Sequence, residues 1–178
     1  MRGSAIAGAA VLAVTAVMAT TGPVRAKQLD MCLSVNGRSI IQRGTATCHS
    51  FESDGPANVA RAMGAGATAT AGMSPGDTGN HATAMGDEAY ALASGGARNT
   101  ATASGVTSRA LARSGDGNTA TASGANSYSM ASSGSGNTAT SIAPFSQAWA
   151  FSGNRNTAIA ETVSCQAIAF GGNTTATC

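Results

Sequence analysis

Cysteine and histidine are the side chains of this sequence with the widest chemical range, and they are few. The chain of 178 residues contains four cysteines and two histidines. Cys32, Cys48 and the adjacent His49 are thiol and imidazole groups of the kind that bind zinc. The set lacks a fourth ligand and a short Cys-x-x-Cys spacing, so we expect no metal site.

Disulfide bonds are the other use of the cysteines, and four cysteines can pair in three ways. We favour Cys32 with Cys48 and Cys165 with Cys178, because each pair then lies at one end of the repeated region described below. A loop of this length gives a stabilisation of about 3 kcal/mol for each bond in the chain-entropy model.

Catalytic patterns are weak throughout the chain. His49 and His81 have no serine or cysteine and carboxylate set near them, and Gly64-Ala65-Gly66 is not framed by a strand and a helix as a phosphate loop is. Asp116 lies in a turn that resembles those of calcium-binding solenoids, but the equivalent positions of the other repeats hold no carboxylate. Those positions are Ala97, Ser135 and Asn154. We expect no enzymatic activity and no cofactor.

The segment 1–26 indicates export. Met1 and Arg2 precede an apolar run over residues 5–19, and Val24-Arg25-Ala26 follows, which is typical of a secretory signal peptide cleaved after Ala26. The run is short for a membrane span. We therefore expect an exported protein, secreted or at the cell surface, with no membrane-spanning segment.

Charge excludes one class of partner. Of the ten basic residues, Arg2 and Arg25 leave with the signal peptide, and the rest balance the eight acidic residues. A neutral chain offers no electrostatic footprint for nucleic acid.

A repeat organises the rest of the chain. Asparagine recurs at one fixed interval, and once more after a slightly shorter step. The positions are Asn80, Asn99, Asn118, Asn137, Asn156 and Asn173. A fixed short period predicts stacked coils in a one-dimensional array, with the asparagines forming a ladder at a turn. The step from Asn58 to Asn80 is longer, and we expect a loop at residues 74–77 to contain the extra residues.

Within each repeat, the residues alternate with a period of two, which indicates β-strands with two unlike faces. One face has only small side chains. The other contains Arg109 and Arg113, and burying their charges without partners would cost on the order of several kcal/mol. We therefore predict an all-β fold: a thin two-sheet parallel β-solenoid, or β-roll, of about 19 residues per coil with an alanine and serine interior and disulfide-clamped ends. The predicted inward alanines are Ala89, Ala91, Ala93, Ala101, Ala103, Ala110, Ala112, Ala120, Ala122, Ala131, Ala139, Ala148, Ala150, Ala158, Ala160, Ala167 and Ala169.

Three segments follow from these patterns: the signal peptide at 1–26, an N-terminal cap with a disulfide at 27–57, and the solenoid domain with the second disulfide at 58–178. In the cap, Asn36-Gly37 between larger apolar residues predicts a hairpin. Disorder is the alternative for so glycine- and alanine-rich a chain. The constant register argues against it, because flexible linkers keep composition and not spacing.

A column of large apolar residues lies on the outer face of the second strand of each repeat. With two phenylalanines beside it, this column forms what we call the apolar strip: Leu92, Leu111, Met130, Trp149, Phe151, Ile168 and Phe170. A contiguous apolar surface of this kind indicates self-association, unless a loop or the cap covers it. We expect Trp149 to anchor the contact and Leu111, flanked by Arg109 and Arg113, to be peripheral.

The segment 118–124, Asn-Thr-Ala-Thr-Ala-Ser-Gly, with the serine and alanine segment 127–131 after it, resembles the head repeats of trimeric autotransporter adhesins. The resemblance covers residues 58–172 and implies a β-roll, adhesion and a homo-oligomer. Their repeat is shorter, and we expect no membrane-anchor domain at the C-terminal end of this sequence. The leader, the paired cysteines and the alanine- and glycine-rich body are also similar to small secreted actinobacterial proteins of unknown function. We therefore expect a non-enzymatic, adhesin-like surface protein.

The outward threonines suggest an alternative function. Thr-x-Thr pairs repeat on the first strand of successive coils, about 6.7 Å apart along a strand and about 4.8 Å apart between strands. They are Thr100, Thr102, Thr119, Thr121, Thr138, Thr140 and Thr157. This array is similar to the ice-binding faces of several β-solenoid antifreeze proteins. The simpler explanation is that threonine is a good outward strand residue.

Overall fold

The computed structural model describes residues 29–178, and the predicted signal peptide lies outside the described residues. All regular structure in that range is β: 16 strands in two sheets. None of the described residues forms a helix long and apolar enough to cross a membrane.

The nine-stranded sheet, here the first sheet, contains alternate strands of the chain and an N-terminal hairpin. Its strands are β1 (Met31–Val35), β2 (Arg38–Arg43), β4 (Val59–Met63), β6 (His81–Met85), β8 (Thr100–Ala103), β10 (Thr119–Ala122), β12 (Thr138–Ser141), β14 (Thr157–Ala160) and β16 (Thr175–Thr177). The seven-stranded sheet, here the second sheet, contains the others. They are β3 (Thr47–Ser50), β5 (Thr68–Ala71), β7 (Tyr90–Ser94), β9 (Arg109–Arg113), β11 (Tyr128–Ser132), β13 (Gln147–Phe151) and β15 (Gln166–Phe170).

From β3 onward the chain alternates between the two sheets, and each strand pairs in parallel with the equivalent strand of the next coil. Thr100 pairs with Thr119, and Thr119 pairs with Thr138, so each partner lies one repeat further along the chain. The predicted two-sheet parallel β-solenoid is confirmed. Because the register is constant, every side-chain type of the repeat is stacked into a column along the solenoid axis.

The interior is made of alanine and serine, as predicted. Every predicted inward alanine is at most 3% exposed, and Ser108, Ser127, Ser129, Ser141 and Ser146 are at most 1% exposed. Ser141 Oγ lies 2.6 Å from Ser146 Oγ, so these buried hydroxyls bond across the interior. Side chains this small leave room only for two closely spaced sheets, which is why the solenoid is thin.

Asparagine side chains form a second buried column at one corner of the coil. Asn58, Asn80, Asn99, Asn118, Asn137 and Asn156 are all 0% exposed. The Oδ1 atom of each one accepts a hydrogen bond from the backbone N–H of the next, at 2.9–3.0 Å between successive asparagines. Each step of the ladder therefore joins the side chain of one asparagine to the backbone of the asparagine in the next coil.

Two details of the ladder could not be read from the spacing of the asparagines, and one of them corrects the predicted place of Asn173. From Asn80 to Asn156, the left-handed residue of this corner is the one before the asparagine, such as Arg98 or Arg155 (φ 57° in both). Asn173 occupies that left-handed position (φ 52°), and Thr174 takes the ladder position beyond Asn156. Because Thr157 pairs with Thr175, the last coil is one residue longer than the spacing of the asparagines indicates. The extra residues of the longer coil do lie between Ala71 and Asn80, as predicted.

The two ends are built differently. At the N-terminal end, β1 turns at Asn36-Gly37 into β2 and pairs antiparallel with β4. Within the segment predicted to be a cap, β3 already pairs in parallel with β5 and so begins the second sheet. The disulfide Cys32–Cys48 joins β1 to β3, and the disulfide Cys165–Cys178 lies in the last coil. Disulfide bonds are consistent with an extracellular location.

Candidate binding faces

The outer face of the second sheet carries the apolar strip in a regular grid. The register places Leu92, Leu111, Met130, Trp149 and Ile168 in one central column. A polar column flanks it on one side. This polar column is Tyr90, Arg109, Tyr128, Gln147 and Gln166. On the other side, Phe151 and Phe170 continue the column of Arg113 and Ser132.

Exposure along the apolar strip rises toward the C-terminal coils. Leu92 is 9% exposed, and Leu111, Met130, Trp149 and Phe151 are half-buried. Ile168 is 43% and Phe170 is 62% exposed, which is high for large apolar side chains. The C-terminal part of the strip therefore presents its side chains to solvent.

Aromatic contacts hold the exposed part of the strip together. The rings of Tyr128 and Trp149, on neighbouring strands, have centroids 5.0 Å apart and are tilted by 33°. Phe151 and Phe170 have centroids 6.1 Å apart. Such pairs add to the free energy of simple area burial. Trp149 Nε1 is buried and has no hydrogen-bond partner.

The charges on this face are all positive. The guanidinium of Arg109 lies 5.4 Å from the ring centroid of Tyr90, and a nitrogen of Arg113 lies 3.8 Å from Met130 Sδ. The strands of the second sheet from β5 to β15 contain no aspartate, glutamate or lysine. Burial raises the pKa of the Tyr128 phenol, and the nearby Arg113 and Arg109 oppose that rise.

The outer face of the first sheet is a regular array of threonines. Two files run along the solenoid, and pairing places their members side by side. One file is Thr100, Thr119, Thr138, Thr157 and Thr175, and the other is Thr83, Thr102, Thr121, Thr140, Ile159 and Thr177. Sequence reasoning missed Thr83, Thr175 and Thr177. Thr175 and Thr177 were missed because placing Asn173 in the asparagine ladder shifts the expected register of the last strand by one residue.

A third group of exposed apolar residues lies on the corner between the two sheets. Val106, Ile142, Phe145 and Val163 are 50–64% exposed. Sequence reasoning missed them because they follow no alternating pattern. Phe145 itself occupies the left-handed turn position (φ 58°). Three of these four lie in the same C-terminal coils as the exposed part of the apolar strip.

Ionisable groups do not converge into a site. Among residues 29–178, no group of three or more histidine, cysteine, aspartate or glutamate side chains is placed to hold a metal ion. Asp77 is a buried carboxylate, 3% exposed. It accepts backbone hydrogen bonds from Met73 at 2.7 Å, Gly95 at 3.0 Å and Gly96 at 2.8 Å. These contacts connect the loop of the longer coil to the next coil, which is a structural role.

Comparison with known proteins adds no relative: no family model, no curated protein and no solved structure matches this chain.

Proposed function

We propose that this protein is an exported, non-enzymatic, adhesin-like surface protein that self-associates through the apolar strip. The observation that supports this most is the composition of the outer face of the second sheet. Tyrosine, tryptophan, phenylalanine, methionine and arginine are the residues enriched at protein interfaces, and aspartate, glutamate and lysine are depleted there. Eight of the fifteen residues in the strip and its two flanking columns are of the enriched types, and none is aspartate, glutamate or lysine.

The energetics of the solenoid support the same use of the strip. An inward alanine buries about one methyl group, whereas burying a large apolar side chain contributes about 1.5–3 kcal/mol. Ile168 and Phe170 still expose 43% and 62% of their surface. A contact that covers them would therefore add hydrophobic stabilisation that the small side chains of the interior do not supply.

Sedimentation velocity over a range of concentrations tests the self-association. We expect the parent to form a dimer or larger species that Trp149→Ala weakens by about 30-fold, which corresponds to the roughly 2 kcal/mol typical of a central aromatic. Leu111→Ala should have a smaller effect, because leucine has less apolar surface to bury than tryptophan and because Arg109 and Arg113 flank it on its own strand.

Two further measurements accompany this test. Trp149 is the single tryptophan of the chain, so its emission should shift to the blue as the species form. Thr121→Ala, on the opposite face, is the matched control and should leave association unchanged. A parent that remains monomeric at all concentrations would contradict the proposal.

Ice binding is a second candidate, and the extent of the threonine array favours it. Ten threonines in two in-register files span six strands of the first sheet, from β6 to β16, broken within the second file by Ile159. Threonine has few χ1 rotamers, so such files form a stiff lattice of hydroxyl and methyl groups. The array is similar to the ice-binding faces of β-solenoid antifreeze proteins.

Thermal hysteresis of the purified protein tests this second candidate. We expect the parent to depress the freezing point below the melting point. Thr121→Tyr should remove the effect, because a large ring in the middle of the array prevents flat contact. Trp149→Ala, on the other face, should retain it. A parent without thermal hysteresis would exclude ice binding.

A further inference from the structure

Self-association through the apolar strip requires two copies to face each other through their second sheets. In a two-fold dimer, two such faces are related by an axis that lies between them. The axis can run along the solenoid, so that the two solenoids are parallel, or along the strands, so that they are antiparallel. The positions of Arg109 and Arg113 distinguish these two arrangements.

In the parallel arrangement each strand opposes its own copy in the reverse direction. Arg109 would then lie against the partner's Arg113, and Arg113 against the partner's Arg109. Four guanidinium groups would meet on a face whose strands carry no carboxylate. Like charges placed together in a desolvated interface are strongly unfavourable.

In the antiparallel arrangement the strands keep their direction and their order is reversed. With the axis over Met130, the middle of the central column, β9 lies over the partner's β13 and β7 over the partner's β15. Arg109 then meets the partner's Gln147, and Arg113 meets the partner's Phe151, where a guanidinium on a ring is favourable. Leu111 meets the partner's Trp149, so this arrangement places Leu111 within the contact and not at its periphery. Leu92 meets the partner's exposed Ile168.

We infer that the self-associated form is an antiparallel, face-to-face dimer of two solenoids, with its two-fold axis along the strands and over Met130. This inference rests on the self-association proposed above. It covers the most exposed members of the strip, Ile168 and Phe170, with the N-terminal part of the partner's strip. Both threonine arrays remain on the outside of the dimer, facing in opposite directions.

The contact area sets the expected strength of this dimer. Five strands of five residues cover roughly 24 Å by 16 Å of sheet in each copy. Two copies together thus contribute roughly 800 Å² of sheet, which is less than the roughly 1,200 Å² of a stable specific interface and is typical of a weak one. We therefore expect the dimer to dissociate on dilution through the micromolar range. Experiments should use protein concentrations well above that range.

Thiol cross-linking separates the two arrangements. Opposed residues of facing sheets are about 10 Å apart, which a short bismaleimide spans. Tyr90→Cys and Gln166→Cys, carried by two copies of different mass, face each other only in the antiparallel dimer. Ile168→Cys faces its own copy only in the parallel dimer, because the antiparallel dimer separates these two positions by about 19 Å along the sheet.

We expect the mixed Tyr90→Cys and Gln166→Cys sample to give the cross-linked heterodimer and Ile168→Cys alone to give none. Thr121→Cys, on the first sheet, is the control for random collision. Mass and circular dichroism verify that each variant keeps both native disulfides and the β fold. The reverse result, a cross-linked Ile168→Cys pair and no heterodimer, would overturn the antiparallel geometry.

Two other outcomes also overturn it, and they differ in meaning. A parent that sediments as a dimer while none of these variants cross-links would place the contact on another surface and leave self-association standing. A parent that sediments as a monomer would remove both the self-association and the dimer geometry.

Discussion

Asn99 shows how one residue type fixes the coil spacing. Its Oδ1 accepts from the N–H of Asn118 at 2.9 Å, and its Nδ2 donates to the carbonyl oxygens of Ser94 at 3.2 Å and Gly115 at 2.7 Å. One side chain therefore satisfies backbone groups of its own coil and of the next. Serine or threonine could not do so, because a hydroxyl carries one donor and cannot reach as far.

We predict that Asn99→Ala is strongly destabilising. It leaves up to three buried backbone groups without partners, and each costs about 1–3 kcal/mol of the free energy of unfolding. Asn173→Gly is the matched control. Asn173 is exposed, lies outside the ladder and has φ of 52°, which glycine adopts readily. Chemical denaturation of both variants measures the difference, and equal losses would contradict the role of the ladder.

A second residue-scale prediction concerns pH. Burial alone would raise the pKa of Asp77, but the hydrogen bonds from Met73, Gly95, Gly96 and Ser74 outweigh it and leave the pKa below its ordinary value of 3.8. A carboxyl group with a lowered folded pKa stabilises the fold above its unfolded pKa, and this contribution is lost as the pH falls through the folded value.

We therefore expect the melting temperature to fall as the pH is lowered below about 3.8, the unfolded pKa of an aspartate. Asp77→Asn should remove part of that dependence and should lower stability at neutral pH, since a single amide oxygen replaces two acceptors. Asp54→Asn, at an exposed carboxylate, is the control. An acid transition that is the same in the parent and in Asp77→Asn would show that other carboxylates determine it.

At the scale of the element, the corner turns decide how closely the coils can stack. Gly134 has φ of 147°, and a Cβ there would overlap the carbonyl oxygen of Gly153 in the next coil. Gly117 also has a positive φ, 66°, but a Cβ there would meet nothing within 4 Å. Gly117 therefore lies in the left-handed region that Arg98 adopts at the equivalent position, whereas Gly134 combines a φ that is almost restricted to glycine with close approach to the next coil.

We predict that Gly117→Ala costs about 1 kcal/mol, the usual conformational penalty for a left-handed alanine. Gly134→Ala should cost clearly more, because alanine is strained at this φ and its Cβ would also overlap Gly153 in the next coil. Thermal melting of the two variants tests this. If Gly117→Ala were the more damaging of the two, the close approach of the turns would not be what limits the stack.

The sequence predicted those features that recur at the same position of every repeat, and it did not predict those that occur once. The inward alanines, the apolar strip and the asparagine ladder were predictable because each recurs once in every repeat with one parity. Thr175 and Thr177 were missed because asparagine is suited both to a buried ladder and to the left-handed position before it. The hydrogen bonds of Asp77 were not predictable, since two of its donors belong to the following coil.

At the scale of the whole molecule, charge is distributed unevenly along the solenoid axis. Residues 117–178 contain only Arg155 and Glu161 as charged side chains, whereas residues 29–116 contain thirteen. Large exposed apolar residues are spread more evenly, since four of the nine lie in residues 29–116 and five in residues 117–178. The antiparallel dimer inferred above would offset this uneven charge, because it places the weakly charged end of each copy beside the charged end of the other.

Each coil contacts only its neighbours, so the stability of the array is a sum of local terms and its terminal coils are the weakest. A disulfide lies at each end, between residues 16 apart in one case and 13 apart in the other. Closing a loop of this length reduces the entropy of the unfolded chain, which raises the free energy of unfolding by about 3 kcal/mol for each bond in the chain-entropy model. The bonds therefore stabilise the coils that have one neighbour instead of two.

We predict that replacing Cys165 and Cys178 together by serine raises amide hydrogen exchange in β14, β15 and β16 and leaves the N-terminal coils protected. Replacing Cys32 and Cys48 should produce the mirror image, with faster exchange in β1 to β3. Hydrogen exchange followed by mass spectrometry resolves the two ends, and each variant is the control for the other. Faster exchange along the whole solenoid in either variant would mean that the coils open as a single cooperative unit, because local coupling alone cannot carry a change from one end of the stack to the other.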